Sequence, residues 1–382
     1  MNKIVKKFFI VFFFLILIVP NLIWPFLKPH FASANTENRV LAKFPTLSYE
    51  NIENVPAGIE NYINDYAPFR KILVDFNTNV NKTLFNTVTN DIVLVGKDDW
   101  FFYRDASSVG DMLGISIFTE DQLEYIVTLL NTLRGLCCKN KDDFVLMIAP
   151  NKEQVYSEYL PDAFRKKIPG GASTTEALVK YITEHSDIKV IYPKEELIKG
   201  KEKARTYYKI DTHWDLFGGY IGLKKMFDAL GLEFEDPMEA ELYEEASIVG
   251  DLKNLAPLPD YYKETEIAVD KVHNIGDKFV ARYYDGDFTG DGTGCIRAYS
   301  LSPRSDKKLI MMRDSFAVNM MHVSTQYFKE SNYIHWEGLD KADAEYFYGD
   351  YFVYEILERN LTTLITTLEG IISKVQPIPI EE

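Results

Sequence analysis

The chain has 382 residues, 46% of them hydrophobic and 26% charged, which is enough for one large domain or two smaller ones with a proper core. Its formal net charge of −15 argues against nucleic acid as the main partner, because binding phosphates requires clustered lysine and arginine. Three cysteines, Cys137, Cys138 and Cys295, give no disulfide framework and no metal spacing, and we predict neither a metal nor a cofactor.

Residues 1–34 predict a membrane segment. Three lysines among the first seven residues precede an apolar run that reaches Leu27, and about 20 such residues can cross a bilayer. The positive-inside bias then places the rest of the chain outside the cell. Ala32-Ser33-Ala34 leaves open a cleaved signal peptide, but the apolar run is long for one, which favours a retained single-pass anchor. An exported chain with so few cysteines is more typical of a bacterial surface than of an animal secretory pathway. We therefore expect the protein in a bacterial cell membrane.

Residues 35–118 predict a linker, two short helices and a hairpin. Helical spacing of apolar residues occurs at 59–66 and at 72–76, and Pro68 separates the two stretches. Two apolar runs, at 92–96 and 100–103, flank three polar residues and predict the hairpin.

Residues 119–382 predict an α/β domain. Capping patterns at Thr119 and Ser173 begin helices. Alternating strands and helices predict a mostly parallel sheet with helices on both faces, whose site lies at the carboxyl ends of the strands. The strands are expected at 144–149, 188–192, 308–312, 332–336 and 351–354, and the other helices at 218–230 and 358–372.

Residues 237–306 interrupt this alternation and predict an insertion of short strands. Within them Asp285, Asp287 and Asp291 hint at a calcium loop, but the twelfth position is Ile296 rather than glutamate, so the EF-hand pattern fails.

Asp211, His213 and Ser315 are the candidate catalytic residues. Asp211 lies two residues before the imidazole, and Ser315 follows an apolar strand at a predicted strand-to-helix turn. Together they could form an orienter, a base and a nucleophile, although Ser315 as a helix N-cap and Asp211 as a helix cap are the structural alternatives. The Gly-x-Ser-x-Gly elbow of ordinary α/β-hydrolases is absent.

Five further residues are candidates for binding substrate or the oxyanion. The backbone N–H groups of Ser315 and Phe316 would lie at a helix N-terminus, where a developing negative charge is favoured. Asn151 and Arg313 are possible additional donors, and Lys152 shares the strand end with Asn151. Trp214 is an aromatic in a polar loop and could stack on a ligand. Glu355, Glu358 and Arg359 are interpreted instead as an ion pair or capping group.

Five motifs in order carry a family resemblance. They are Val95-Gly96-Lys97-Asp98-Asp99-Trp100-Phe101-Phe102-Tyr103, Ile148-Ala149-Pro150-Asn151-Lys152, Asp211-Thr212-His213-Trp214, Gly250-Asp251-Leu252 and Arg313-Asp314-Ser315-Phe316. With the anchor, they resemble the SGNH-hydrolase-like domains of alginate O-acetylation proteins and the DHHW family. The resemblance covers nearly everything after the anchor, and implies a flavodoxin-like three-layer sandwich with Ser315, His213 and Asp211 as the triad. Two departures are Arg313 where the family often has glycine, and Thr212 in place of the first His of DHHW.

The resemblance implies an extracytoplasmic O-acyltransferase, most simply an acetyltransferase, that modifies a cell-surface polysaccharide through an acyl-enzyme. A glycan esterase or deacetylase of the same fold, and a non-catalytic anchored protein that binds glycan or supports assembly, are the alternatives. Because acetyl-CoA is cytoplasmic, the family analogy also implies a multi-spanning acyltransferase partner of the MBOAT type that delivers acyl groups.

Overall fold

A computed structural model of the protein describes residues 3–31, 41–46, 51–88, 91–104, 108, 110, 112–114, 118–168, 172–256, 258, 262–270 and 294–375. The predicted cleavage pattern Ala32-Ser33-Ala34 and the three aspartates of the rejected calcium loop lie outside the described residues. The chain divides into two compact units, Met1–Val93 with Asp251–Tyr262, and Leu94–Gly250 with Lys263–Glu382.

The first unit is helical. It contains α1 (Lys3–Phe31), α2 (Val55–Tyr66), α3 (Arg70–Phe85) and a short helix at Asp251–Leu255. Within α1, Ile4–Phe26 is long and apolar enough to cross a membrane. Phe69 has a left-handed backbone (φ 61°) just before α3, so the chain turns between α2 and α3 next to Pro68, where the sequence predicts a break.

The second unit is built on a mixed six-stranded sheet of order β4-β3-β10-β8-β9-β7. All its pairings are parallel except that of β7 with β9. The chain also forms two separate two-stranded sheets. One pairs β1 with β2, and the other pairs β5 with β6 in antiparallel orientation. The strands are β1 (Val93–Val95), β2 (Phe101–Tyr103), β3 (Phe144–Ala149), β4 (Lys189–Ile191), β5 (Leu242–Ile248), β6 (Glu264–Val269), β7 (Cys295–Tyr299), β8 (Ser305–Arg313), β9 (Phe328–His335) and β10 (Tyr351–Leu357).

Helices cover the two faces of this sheet. They are α4 (Glu120–Cys137), α5 (Thr174–His185), α6 (Lys194–Gly200), α7 (Leu216–Ala229), α8 (Val318–Tyr327) and α9 (Leu364–Lys374), with short helices at Lys152–Val155 and Asp162–Arg165. Alternate residues of β3 enter two separate cores: Val145 and Met147 pack with residues of α7 and α8, while Leu146 and Ile148 pack with α4, α5 and α9. Because both faces of β3 are buried, its sequence is a continuous apolar run, and this run predicts the strand. The predicted three-layer α/β architecture is confirmed.

Two features differ from the sequence prediction. β7 lies in the range interpreted as an insertion, yet it forms the antiparallel edge of the central sheet beside β9. The paired residues are 31 to 39 positions apart, from Tyr299 with Glu330 to Cys295 with Ile334, so the local pattern does not reveal the partner strand. Residues 358–372, expected to be one helix, form a 3₁₀ segment at Glu358–Thr363 followed by α9.

Candidate active site

Asp211, His213 and Ser315 form one hydrogen-bonded series. His213 Nδ1 lies 2.6 Å from Asp211 Oδ1, and His213 Nε2 lies 2.8 Å from Ser315 Oγ. Ser315 is exposed, whereas the side chains of His213 and Asp211 are only 25% and 15% exposed. With its proton on Nδ1, the imidazole can therefore accept the hydroxyl proton of a serine that a large substrate can reach.

The turn that carries Ser315 is held by Asp314 rather than by Ser315 itself. The Asp314 carboxylate accepts the N–H of Phe316 at 2.9 Å and the N–H of Leu357 at 2.6 Å. Asp314 is therefore the N-cap of the 3₁₀ turn Ser315–Ala317 that leads into α8. Ser315 is not the N-cap, and its hydroxyl instead points to His213.

The same contact corrects the predicted oxyanion donors. The N–H of Phe316 was expected to face a developing negative charge, but it already donates to the Asp314 carboxylate. Of the two predicted backbone donors, the N–H of Ser315 is thus the one that Asp314 does not occupy.

Lys152 supports the loop that carries the base. It is 2% exposed, and its ammonium donates to the carbonyl oxygens of Tyr208 at 3.1 Å, Lys209 at 3.2 Å and Asp211 at 2.6 Å. Moving this buried ammonium away from its three carbonyl acceptors would cost free energy. Lys152 therefore positions the loop, and does not make the contact with substrate that the sequence predicts.

Glu264 on β6 holds the other edge of that loop. Its two carboxylate oxygens accept the N–H groups of Lys209 at 2.8 Å and Ile210 at 2.9 Å, and Arg205 forms an ion pair with it at 2.8 Å. Sequence reasoning missed this residue, because its partners are backbone groups 54 and 55 positions away that no side-chain motif reveals.

Trp214 joins the base loop to the nucleophile turn. It is fully buried, its indole N–H donates to the carbonyl oxygen of Phe316 at 2.8 Å, and its own carbonyl accepts from the Asn319 amide at 2.7 Å. The Phe316 ring lies 4.8 Å from the imidazole of His213 and is also buried. The predicted role of Trp214 and Phe316 in contacting substrate is therefore replaced by a packing role, since neither ring is accessible.

Asn151 and Arg313 have different surroundings. Asn151 is 2% exposed, its N–H donates to Glu358 at 2.7 Å, and both polar atoms of its side-chain amide lack a hydrogen-bond partner among the described residues. Such unsatisfied groups are rare in proteins, and one at a strand end beside a candidate site can serve a ligand. Arg313 donates to the carbonyl oxygen of Asp314 at 3.1 Å from within the core, so the predicted oxyanion contact does not fit its position.

Burial also controls the charges beneath the turn. Burial lowers the pKa of Arg313 and, together with the nearby Asp314, raises the pKa of Glu355 well above its usual value. The Glu355 carboxyl group accepts the N–H of Asp314 at 2.9 Å. Glu355 therefore supports the nucleophile turn from below, in agreement with its predicted structural role.

Arg359 was interpreted as part of an ion pair or cap, and the structure shows neither. Its half-buried guanidinium lies over the rings of Tyr103 (4.8 Å) and Phe316 (6.0 Å), and within the described part of the chain it has no carboxylate in ion-pair range. It contributes a positive charge beside the turn that bears Ser315.

Buried acids lie behind the base loop. Asp215 caps α7 by accepting the N–H of Gly218 at 2.9 Å, and burial raises its pKa to about 8. Glu266 on β6 accepts the hydroxyl of Tyr208, and burial raises its pKa as well. The loop that contains Asp211 and His213 is thus surrounded by polar groups on several elements.

The sheet, the strand-end serine and the imidazole together define an α/β protein of the SGNH-hydrolase-like class. Residues 93–287 match the family described as SGNH hydrolase-like domain, acetyltransferase AlgX. The chain belongs to this family. The matched residues include Asp211 and His213 but end before Ser315. No curated protein sequence matches the chain.

Several solved structures are similar to this chain. PatB1 of Bacillus cereus with a sulfonyl adduct is 14% identical, with 71% of this chain and 97% of that chain covered and a TM-score of 0.48. A DHHW family protein of Eubacterium siraeum is 13% identical, with coverage of 73% and 93% and a TM-score of 0.46. The O-acetyltransferase domain of AlgJ from Pseudomonas putida is 14% identical, with coverage of 73% and 98% and a TM-score of 0.41.

Proposed function

We propose that the protein is an O-acyltransferase, most simply an O-acetyltransferase, that uses Ser315, His213 and Asp211. The observation that supports this most directly is the pair of distances, 2.8 Å from Ser315 Oγ to His213 Nε2 and 2.6 Å from Nδ1 to Asp211 Oδ1. Membership in an acetyltransferase family supports the same chemistry.

In the proposed first step, Ser315 Oγ attacks the acyl carbonyl while His213 Nε2 takes the hydroxyl proton. The donor's leaving group departs with that proton, and an acyl-serine ester remains. A hydroxyl of the glycan then attacks the ester, His213 takes the new proton and returns it to Ser315 Oγ. Asp211 stabilises the imidazolium in both steps and keeps the proton on Nδ1.

The oxyanion of each tetrahedral intermediate would accept hydrogen bonds from the N–H of Ser315 and from the side-chain amide of Asn151. The amide is supported by its burial without a partner among the described residues. A preorganised side-chain donor of this kind is worth roughly 3 kcal/mol in the transition state.

The acceptor would be a cell-surface polysaccharide, and the domain would lie on the outer side of a bacterial membrane with α1 as a retained anchor. α1 supports the anchor because Ile4–Phe26 is long and apolar enough to span. An acyl donor outside the cell requires delivery across the membrane, for which a multi-spanning acyltransferase of the MBOAT type is the proposed partner.

The test uses the full chain in detergent and an activated acetyl ester. Wild-type protein is expected to gain the mass of one acetyl group on Ser315, while Ser315→Ala gains none and loses at least a thousandfold in ester turnover. Ser302→Ala, which changes another exposed serine, serves as the control and should behave like wild type. Acetylation of the Ser315→Ala protein at the wild-type rate would contradict the mechanism.

The alternatives give different products. An esterase releases acetate whether or not glycan is present, whereas a transferase yields acetylated sugar when an acceptor oligosaccharide is added. A non-catalytic glycan-binding protein would leave Ser315 unlabelled by a serine-directed phosphonate.

A further inference from the structure

Helix α3 exposes its apolar residues. Ile72, Leu73, Phe76 and Leu84, called here the α3 stripe, are between 43% and 68% exposed. At 3.6 residues per turn they share an arc of about 120°. By contrast Thr78, on the opposite side of the helix, is fully buried. A helix on a water-facing surface normally buries its apolar side, so α3 has the reverse arrangement.

The stripe begins next to the membrane helix. Trp24 lies in the last turn of the apolar segment Ile4–Phe26, and its ring is 5.1 Å from the ring of Phe69, the residue immediately before α3. Tryptophan near the end of a span normally lies at the level of the lipid headgroups. With α1 spanning the membrane as proposed, the first residues of α3 would lie at the depth where the hydrocarbon region meets water.

The charge of α3 differs from that of the chain. It carries Arg70, Lys71 and Lys82 against Asp75 as its one acid, whereas the whole protein has a net charge of −15. Apolar residues combined with a basic surplus are typical of helices that lie in the interface of an anionic bilayer.

We propose that the α3 stripe inserts into the headgroup region of the same bilayer that α1 spans, and that anionic lipids strengthen this contact. The proposal rests on the proposed anchor, which brings the stripe to the membrane. At about 1.5 Å per residue, the 16 residues of α3 would cover about 24 Å of membrane surface. The contact would be a second attachment that restrains the first unit where it leaves the bilayer.

The test uses the full chain in liposomes with an environment-sensitive nitrobenzoxadiazole label. One sample carries the label on Phe76→Cys, and the control carries it on Lys180→Cys, in α5 of the second unit, whose side chain is 73% exposed. Background labelling should be low, because burial raises the pKa of Cys138 to about 12 and that of Cys295 to about 11, and Cys137 is buried.

The label at 76 is expected to emit at shorter wavelength than the label at 180, and lipids with a shallow spin label should quench it. The shift should be larger in phosphatidylglycerol than in phosphatidylcholine. Adding Leu73→Gln and Leu84→Gln to the labelled chain should return the emission to that of the control, without unfolding, since both positions are exposed.

Equal emission at positions 76 and 180 in both lipids would overturn the proposal. So would a blue-shifted label at 76 that spin-labelled lipid cannot quench, because it would indicate a protein partner or a second copy on the stripe. Intact mass of the membrane-extracted chain tests the anchor separately, since cleavage would remove the residues of α1, whereas the quenching comparison is made on the uncleaved full chain.

Discussion

Asp211 lies 2.6 Å from the Nδ1 atom of His213, and substituting it tests whether it orients the imidazole. Asp211→Asn keeps an oxygen that can accept the N–H of His213 (2.9 Å), so the loop should fold normally. The amide can, however, stabilise the wrong imidazole tautomer and cannot stabilise an imidazolium. We expect acyl-enzyme formation to slow by about 10³ to 10⁴-fold, measured by stopped-flow turnover of an activated ester. A loss of less than tenfold would show that Asp211 does not orient His213 during the reaction.

The three candidate catalytic residues could be predicted from sequence because each lies in a short, recognisable pattern. The surrounding roles could not. Lys152 and Trp214 were expected to contact substrate, since a lysine at a strand end and a tryptophan in a polar loop usually suggest it. In the structure both bind backbone carbonyl oxygens, and any residue type can supply a carbonyl. The type of a side chain therefore predicts a catalytic residue better than it predicts a residue that positions the catalytic loop and turn.

The loop between Thr206 and Asp215 is the element on which the base depends. Glu264→Gln would leave one of the N–H groups of Lys209 and Ile210 without an acceptor and would remove the ion pair with Arg205. We expect about 1–3 kcal/mol less stability and a lower kcat with little change in KM for the acyl donor, measured by thermal unfolding and initial rates.

A matched control is Glu330→Gln on β9, away from this loop, which removes the ion pair with Lys308 at 2.6 Å and a longer one with Arg297 at 3.7 Å. It should lower stability by less than 1 kcal/mol, because the pair is partly exposed, and leave kcat unchanged. A similar loss of kcat in both variants would mean that Glu264 has no specific role in positioning the loop.

Asp215, the cap of α7, gives the fold a pH dependence. Its pKa is raised from an ordinary 3.8 to about 8 by burial, so between these pH values the folded state binds more protons than the unfolded state. Stability is then lost as pH rises from about 4 to 8, at up to about 1.4 kcal/mol per pH unit. Asp215→Asn cannot ionise but can still accept from Gly218, so its Tm should fall less over this range.

In the Asp215→Asn protein, Tm should still fall to some extent as pH rises, because burial also raises the pKa of Glu266. The comparison is therefore between slopes of Tm against pH for the two proteins in matched buffers. Identical slopes would show that Asp215 is not held protonated in the folded protein.

The elements themselves were predictable to different degrees. β3 was evident because both of its faces are buried, and α4 and α5 because both begin with capping boxes. β7 was not recognised as part of the sheet, since its buried residues do not alternate strictly and its pairing with β9 is set by tertiary contacts.

At the scale of the molecule, the sheet depends on the C-terminal part of the chain. The family match ends at residue 287, and β7, β8, β9 and β10 all follow it. A chain ended at 287 would keep β3 and β4 but lose four of the six central strands. It would also lose 15 of the 26 buried residues of one core and 12 of the 34 buried residues of the other. We expect no cooperative unfolding transition by circular dichroism and rapid proteolysis, whereas the full chain should melt cooperatively. A sharp transition in the shortened chain would show that the matched residues fold alone.

The position of β10 has a consequence for biogenesis. It lies between β3 and β8, although it is the last strand to be synthesised. During synthesis, the ribosome releases His213 and Ser315 before β10, the strand that joins β3 to β8 in the sheet. The sheet therefore cannot close, and the Asp314 carboxylate cannot accept the N–H of Leu357, until the last part of the chain has been made.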